Sequence, residues 1–536
     1  MTNNQNTDSH NNWMKGVSFD INDPIHLLKV ASSSCFFGEP QYYHRDSKDQ
    51  RPSRNFSGYR STSLGQKEID HLRNILGESD PREWRSMTPT QLLTKAIDDA
   101  LDHDVEKTLQ LASHLRQVEN IRTTPQVILV RAANHQKAKG TGLVREYAKQ
   151  IIQRGDEPSV GLAYQIAVYG RKGIPNSLKK SWRDALEGLN EYQMAKYRME
   201  GRPVKTVDVV NLVHPKSDSV DKLVNGELST SGQTWESIIS EKGSTNEAWE
   251  EAFDVMGHMA LLRNLRNLSQ NDVDPVKVSD KLVKGAENGR QIPFRYYSAY
   301  TAVSNTDQAT PQILDGIEKA MVTSLKNLPQ LGGKTISLCD NSGSARKAFQ
   351  SKMGTVQVST IANLSGVLAG RVSDEGYVGV FGDELDIEPI RKTGSIMDQL
   401  ERCNQMGSNI GHGTENGIWL FFDQAIKKKE HYDRIFVYSD MQAGHGGLYG
   451  KNSSQYKNYV WNGGNTSSWY RNEYIDVAAL ISKYREEVNP NVFVYMVQVG
   501  GYQDTLVPEF YDRTYILGGW SDSILRFASQ MENSYK

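Results

Sequence analysis

The sequence contains little cysteine and no long apolar run, and each absence narrows the class of protein. Only Cys35, Cys339 and Cys403 occur among 536 residues, so we expect neither a disulfide framework nor a cysteine metal site. No run of about 18 apolar residues is present, which argues against a membrane-spanning helix. The start, MTNNQNTDSHNNW, lacks the basic and apolar parts of a signal peptide. We therefore expect a cytoplasmic protein without a membrane partner.

The chain also lacks an excess of one charge sign. It has 62 Lys and Arg against 64 Asp and Glu, a net charge of −2, whereas nucleic-acid binders usually show a basic excess. The regional count differs, because residues 121–216 hold 17 Lys and Arg against 8 Asp and Glu. This excess of +9 leaves −11 for the rest of the chain. A basic helical stretch is typical of phosphate binding, although ordinary solvated helix faces would give the same count.

Three regions differ in pattern. Residues 1–25 are rich in Asn, Gln and Asp, which predicts a disordered tail. Residues 26–328 show amphipathic patterns separated by Gly, Pro and Asn, which predict stacked helix pairs in an α-helical solenoid. Residues 329–536 alternate apolar strands with helical patterns, which predicts a Rossmann-like α/β domain with a mostly parallel sheet.

The elements of this last region can be predicted individually. The expected strands are 335–340, 376–381, 434–440, 491–499 and 513–518. The expected helices are 344–353, 395–405, 416–429, 474–487 and 521–532. The stretch 443–474, rich in Gly, Asn, Ser and Tyr, is expected to be a long loop.

Acidic and hydroxyl residues follow the predicted strands. Asp340, Ser342 and Ser344 lie in D-N-S-G-S directly after the first strand; Thr414 precedes a helix, and Asp440 ends RIFVYSD. Because ligands of open α/β sheets bind at the carboxyl ends of strands, we expect these five oxygen donors to converge. Oxygen donors without Cys or His suit Mg²⁺, with Mn²⁺ as the alternative. The competing interpretation is that these residues only cap helices and start turns.

Several segments resemble known families. The order of D-x-S-x-S, Thr414 and Asp440 resembles the metal-ion-dependent adhesion site of von Willebrand factor A domains, over residues 332–536. Helical segments resemble the TROVE module of the Ro 60-kDa autoantigen family; they are CFFGEPQYYHRD (35–46), AKYRMEGRPVKTVDVVNLVHPK (195–216), HMALLRNLRNLSQ (258–270) and IPFRYYSAY (292–300). Because an A domain follows this module in Ro proteins, the chain resembles a bacterial-type Ro protein over residues 26–536.

The resemblance implies a function in RNA metabolism. Ro proteins form a ring of HEAT-like repeats that binds Y RNA, a small structured noncoding RNA, on a basic outer face. Single-stranded ends of misfolded RNA enter the central hole. The implied role is non-catalytic, in RNA quality control or degradation, with an exoribonuclease such as polynucleotide phosphorylase as a partner class. We expect the protein to be a monomer.

The resemblance also implies RNA-binding residues. Lys196 matches the family's RNA-contacting lysine, and His214 matches a histidine of the same segment, followed here by Pro and Lys216. The family's arginine falls on Glu200, so Arg198 and Arg202 are alternatives for its role. A solvated lysine and a histidine that interacts with helix carbonyls are the competing interpretations.

A second set of basic residues lies further along the chain. Arg263 and Arg266 follow the Leu-rich face of the 258–270 helix and are candidates for lining the hole. Salt bridges within the solenoid are an equally good explanation for them.

Two other functions compete with RNA binding. The A domain could capture a partner's carboxylate through its metal, which would make the protein a metal-dependent interaction adaptor. A metal-dependent nuclease is disfavoured, because many nucleases use two metals and the sequence offers one carboxylate-containing site.

Overall fold

A computed structural model gives the structure of the chain. It describes residues 9–11, 17–20, 23–34, 89–119, 121–228, 234–289, 291, 293–304, 306, 309–346, 348–351, 354–411, 417–439, 460–462, 473–475, 477–499, 504–505, 513–518, 523–533 and 535. These residues form two compact units, one of residues 23–233 and one of residues 1–22 with 234–536. Among the described helices, none has both the length and the apolar character needed to cross a membrane.

The first unit is helical throughout its described part. Its α-helices are Pro24–Ser34 (α1), Pro89–His103 (α2), Val105–Gln117 (α3), Thr123–Asn134 (α4), Leu143–Ile151 (α5), Glu157–Tyr169 (α6), Asn176–Glu187 (α7), Glu191–Lys196 (α8), Thr206–Val213 (α9) and Asp218–Asn225 (α10). Alternate helices pack together, α3 with α5, α5 with α7 and α7 with α9. This packing of every second helix is the arrangement of stacked helix pairs in an α-solenoid and agrees with the predicted helical fold.

Buried ion pairs join the helices of this unit. The Arg116 guanidinium of α3 donates to the carboxylate of Glu157 on α6, with Nε and Oε1 2.9 Å apart. Arg131 of α4 is buried and donates to Asp98 on α2 and to the Tyr164 hydroxyl on α6. Arg131 therefore belongs to the core, although it contributes to the basic count of 121–216.

The second unit begins with further helices. They are Trp235–Lys242 (α11), Asn246–Val255 (α12), His258–Gln270 (α13), Pro275–Asn288 (α14), Pro293–Ser304 (α15) and Pro311–Ser324 (α16). His258 begins α13, and its Nε2 lies 2.7 Å from the Tyr296 hydroxyl of α15. Gly285 of α14 and Gly289, directly after this helix, lie against the same imidazole. Burial of this ring lowers the pKa of His258, so the contact holds a neutral histidine between three helices.

The close approach of α14 to His258 gives a first prediction. A Cβ on Gly285 would lie 2.4 Å from Nδ1 and 3.0 Å from Cγ of His258. Tyr296 and Gly289 hold that ring, so Gly285→Ala should lower the free energy of unfolding by about 1–3 kcal/mol. Urea denaturation followed by circular dichroism measures this. Gly332→Ala is the control, because its Cβ would meet no atom closer than 3.7 Å; equal stability of the two variants would contradict the packing.

The α/β part of the second unit is built on a six-stranded sheet. Its strands are Leu331–Asp340 (β3), Ser373–Phe381 (β6), Leu385–Ile390 (β7), Arg434–Ser439 (β8), Phe493–Gln498 (β11) and Thr514–Gly518 (β13), in the order β13-β11-β8-β3-β6-β7. All neighbours are parallel except β6 and β7. The five predicted strands are confirmed. The sixth, β7, is an antiparallel edge strand within an acidic stretch.

Helices flank the sheet. They are Val358–Val372 (α17), Ile396–Asn409 (α18), Gly417–Lys428 (α19), Val477–Glu487 (α20) and Ser523–Asn533 (α21). Four of the five predicted helices are confirmed. The helix expected at 344–353 is wrong, because Ala348–Ser351 (β4) pairs with Gly354–Gln357 (β5) as an antiparallel hairpin and the helix begins only at Val358.

Short strands occur outside this sheet. Ser9–Asn11 (β1) and Val17–Asp20 (β2) pair with each other, and Asp504–Thr505 (β12) pairs with β2. Val460–Asn462 (β9) pairs with Glu473–Ile475 (β10). The rest of the predicted 443–474 loop lies outside the described residues, as do Cys35 and the 35–46 segment.

Candidate functional sites

The first site lies at the centre of the sheet. The chain places β6 on one side of β3 and later returns to place β8 on the other, so the carboxyl ends of β3 and β8 mark the point where the strand order reverses. Ligands of open α/β sheets bind at this point. Asp340 ends β3, and Ser439, 99 positions later, ends β8. The Ser439 hydroxyl donates to Oδ2 of Asp340 at 2.6 Å.

The loop after β3 adds further oxygen and nitrogen groups. The Ser342 amide donates to the other carboxylate oxygen of Asp340 at 2.9 Å, and the hydroxyls of Ser342 and Ser344 lie 3.2 Å apart. Asp340 and Ser342 are buried, and Ser344 is half-buried. The structure thus brings together three of the predicted donors, from Asp340 to Ser344. Thr414 and Asp440 lie outside the described residues.

The electrostatic environment of Asp340 is unusual for a carboxylate. Burial raises the pKa of Asp340, while hydrogen bonds from Ser439 and Ser342 and the charge of Arg346 act in the opposite direction. Arg346 itself donates to the backbone carbonyls of Ser408 and Gly411. It therefore fixes the chain just before the segment that carries Thr414.

Side-chain amides support the loop from below. Asn341 and Asn363 exchange hydrogen bonds of 2.9 and 3.1 Å, and Asn363 also donates to Asn404 of α18. Gly407 leaves the space that Asn341 fills, since a Cβ there would lie 2.1 Å from Oδ1. These contacts tie the D-N-S-G-S loop to α17 and α18 and hold its backbone in place.

The donor set present here fits a hard cation. It consists of one buried carboxylate and hydroxyl oxygens, which are ligands that Mg²⁺ accepts, with water completing its coordination. Within the described residues, no group of three His, Cys, Asp or Glu side chains converges, so a metal here would depend on hydroxyls. Sequence reasoning does not identify Ser439 or Arg346. The Ser-Asp pair that ends RIFVYSD is the signal that could have indicated Ser439.

The second site is the basic segment of the helical unit. Lys196 is the last residue of α8, and the chain then turns so that the Thr206 amide at the start of α9 donates to the Arg198 carbonyl at 3.0 Å. Lys196 and Arg202 are exposed. Arg198 is half-buried and pairs with Glu200 at 3.4 Å. Of the two alternative arginines, Arg202 is therefore the one for which the described residues give no ion pair.

His214 and Lys216 lie at the other end of α9. The His214 amide donates to the Val210 carbonyl, and the residue adopts a left-handed conformation (φ 49°) that ends the helix. Both side chains are exposed. The eight residues of α9 span about 12 Å; Lys196, at the end of α8, precedes this helix, and His214 directly follows it.

Ion pairs reduce the basic excess of this unit. Arg131 is buried with Asp98, Arg145 pairs with Asp184, and Arg154 pairs with Asp156. Other cations are exposed and have no ion pair within the described residues; they are Lys139, Lys149, Arg171, Lys172, Lys180, Lys196, Arg202, Lys205 and Lys216. The excess positive charge therefore lies on the surface of the unit.

Arg263 and Arg266 lie on α13 in the other unit. They are three positions apart on the helix and both exposed, whereas Leu261, Leu262 and Leu265 between and beside them are buried. In the described part of the chain neither arginine has an ion pair, so the predicted salt bridges within the solenoid are not seen there.

Comparisons with known proteins bear on both units. Residues 228–327, which include α11 to α16, match the TROVE domain family. The fold is similar to that of the crystal structure of the Deinococcus radiodurans RO (RSR) protein, with a TM-score of 0.56 and 14% identity, covering 95% of this chain and 99% of that one. No curated protein matches the chain by sequence.

The two matches together indicate the class of fold. The chain has the fold of a Ro protein, a helical solenoid followed by an A-type α/β domain, and carries a TROVE match within it. Two of the segments that resemble the TROVE module, residues 258–270 and 292–300, lie within the matched range.

Proposed function

We propose that this protein is a non-catalytic RNA-binding scaffold. It binds small structured RNA of the Y type and single-stranded ends of misfolded RNA, and it acts in RNA quality control or degradation. The observation that carries the proposal is the set of exposed, unpaired cations around α8 and α9, from Lys196 to Lys216, in a protein with a TROVE match. Such cations neutralise phosphates and release counterions.

Salt dependence tests this function. We expect the purified protein to retain cellular small RNAs in gel shifts at low salt. The logarithm of the binding constant should fall linearly with the logarithm of salt concentration, by about 0.7 per phosphate contacted on a single strand. Intact RNA after incubation with Mg²⁺ agrees with the non-catalytic role. Absence of any RNA retention at low salt would contradict RNA binding, and degradation lost in Asp340→Ala would indicate an enzyme.

A second function rests on the other site. The largely buried oxygen cluster of Asp340, Ser342, Ser344 and Ser439 favours a metal-dependent contact with a partner protein. Mg²⁺ or Mn²⁺ held there, with Thr414 and Asp440 completing the donors, would leave a position for a partner's carboxylate. An exoribonuclease such as polynucleotide phosphorylase is the partner class that suits the RNA-binding role.

Pull-downs from lysate separate the two functions. Partners that survive RNase treatment but are lost with EDTA would favour the adaptor. Partners lost with RNase alone would indicate that RNA joins them to the protein.

A further inference from the structure

An exposed tyrosine accompanies the basic segment. Tyr192 lies in the first turn of α8 and is 58% exposed, one of the few large apolar side chains on the described surface. Lys196 follows four positions later, on the same side of the helix. Its ammonium lies 5.7 Å from the centroid of the Tyr192 ring and 5.8 Å from that of Tyr197.

Helix α8 holds this pair in place despite its short length. Asn190 and Gln193 form reciprocal capping hydrogen bonds of 2.9 and 3.1 Å. Met194 is buried beneath the helix, and Lys222 of α10 pairs with Glu191. Arg154 lies over the Tyr197 ring at 5.0 Å. These contacts therefore hold α8 and the Tyr197 ring against the rest of the unit, whereas the Tyr192 ring is exposed.

Exposed cations that have no ion pair within the described residues lie near both ends of α8. Ser219 donates to the Leu189 carbonyl and the Lys216 amide to Glu187, which places the 216–219 stretch beside the start of α8. The Thr206 hydroxyl donates to the Tyr197 carbonyl, which places the start of α9 beside its end. The exposed ring thus lies on a helix that has Lys216 beside its start and Lys196 at its end, two of the predicted RNA-binding residues.

We propose that Tyr192 is a stacking platform for an unpaired base of the bound RNA, with Lys196 contacting the phosphate of the same strand. An exposed aromatic ring can stack on the flat face of another π-system. Unpaired bases in RNA offer such a face and stack on aromatic side chains with little sequence preference. An adjacent ammonium without a carboxylate partner among the described residues is complementary to the phosphate. The inference rests on the proposed RNA-binding function and adds to it a contact selective for unpaired nucleotides.

The test compares variants on three RNA probes. The probes are oligo(A) and oligo(U) of about ten nucleotides and a blunt RNA duplex of about 16 base pairs. Tyr192→Ala should weaken both single strands about tenfold, equivalent to about 1.4 kcal/mol, and leave the duplex unchanged. Tyr192→Phe should bind like the wild type, and Tyr192→Leu should behave like the alanine variant, because leucine has no π-face.

Salt titration separates stacking from charge. Tyr192→Ala should keep the wild-type salt slope, whereas Lys196→Gln should reduce it by about 0.7 on a single strand. If the wild type binds no probe, RNA binding itself fails. Wild-type binding with an unchanged Tyr192→Ala variant would overturn only the stacking contact. An oligoglutamate peptide that binds and is lost in Tyr192→Ala, with RNA binding unaffected, would reassign the surface to acidic proteins.

Discussion

The double variant Lys196→Glu with Arg202→Glu should bind single-stranded RNA on the order of 100-fold more weakly than the wild type in about 50 mM salt. Both side chains are exposed, and within the described residues neither has an ion pair. Reversal removes two phosphate contacts and places two negative charges beside the strand. Arg198 is left unchanged, because Glu200 already neutralises it. Fluorescence anisotropy with labelled oligo(U) measures the loss.

The control changes the charge by the same amount elsewhere. Lys427→Glu with Lys428→Glu alters two exposed lysines at the end of α19, in the α/β domain. We expect its RNA affinity to stay within about threefold of the wild type, since both lysines are already paired with acidic residues and lie outside the predicted RNA-binding segment. Equal losses in both double variants would mean that net charge alone determines binding. No loss in either would remove Lys196 and Arg202 from the interface.

The sheet was predictable because its strands are short apolar runs buried on both faces. Helix α17 was not, for a related reason: all fifteen residues from Val358 to Val372 are buried. A helix that is buried on every side has no amphipathic period for the sequence to display. The segment 344–353, by contrast, has apolar residues at helical spacing, yet its residues 348–351 pair with 354–357 in a hairpin. Tertiary pairing decides there over the local pattern.

In the sites too, residues that are close in sequence were predictable as a group, whereas contacts between distant positions were not. Asp340, Ser342 and Ser344 were predictable as a group, since they share one loop at a strand end. Ser439 reaches Asp340 across 99 positions, and only strand order brings them together. The count of charged residues in 121–216 had a different weakness, because a count does not distinguish exposed cations from buried ones. Arg131 is in fact a core residue, and Tyr192 could not be distinguished by spacing from a buried aromatic.

Asp340→Asn should weaken binding of Mn²⁺, used here as a probe for the predicted Mg²⁺ site, more than about 100-fold. Changes to residues that only orient a metal ligand cost about 10–100-fold in metal affinity, and this change removes the only carboxylate that the described part of the cluster contributes. Asparagine has the same shape, so its side-chain oxygen can still accept the Ser342 amide hydrogen bond. Isothermal titration calorimetry of the metal-stripped protein, with Mn²⁺ as titrant, measures the affinity directly.

The stability of the metal-free protein adds an independent check. Without metal, the wild type keeps a buried carboxylate that only hydrogen bonds and Arg346 compensate, so the stripped Asp340→Asn protein should be at least as stable. With Mn²⁺ at about 100 times its dissociation constant, the wild type should gain about 2.7 kcal/mol and the variant almost nothing. Asp374→Asn is the control, because Asp374 accepts the Gly333 amide at the opposite end of β3. Equal Mn²⁺ affinities in all three proteins would show that the oxygen cluster at the end of β3 is a structural network and holds no metal.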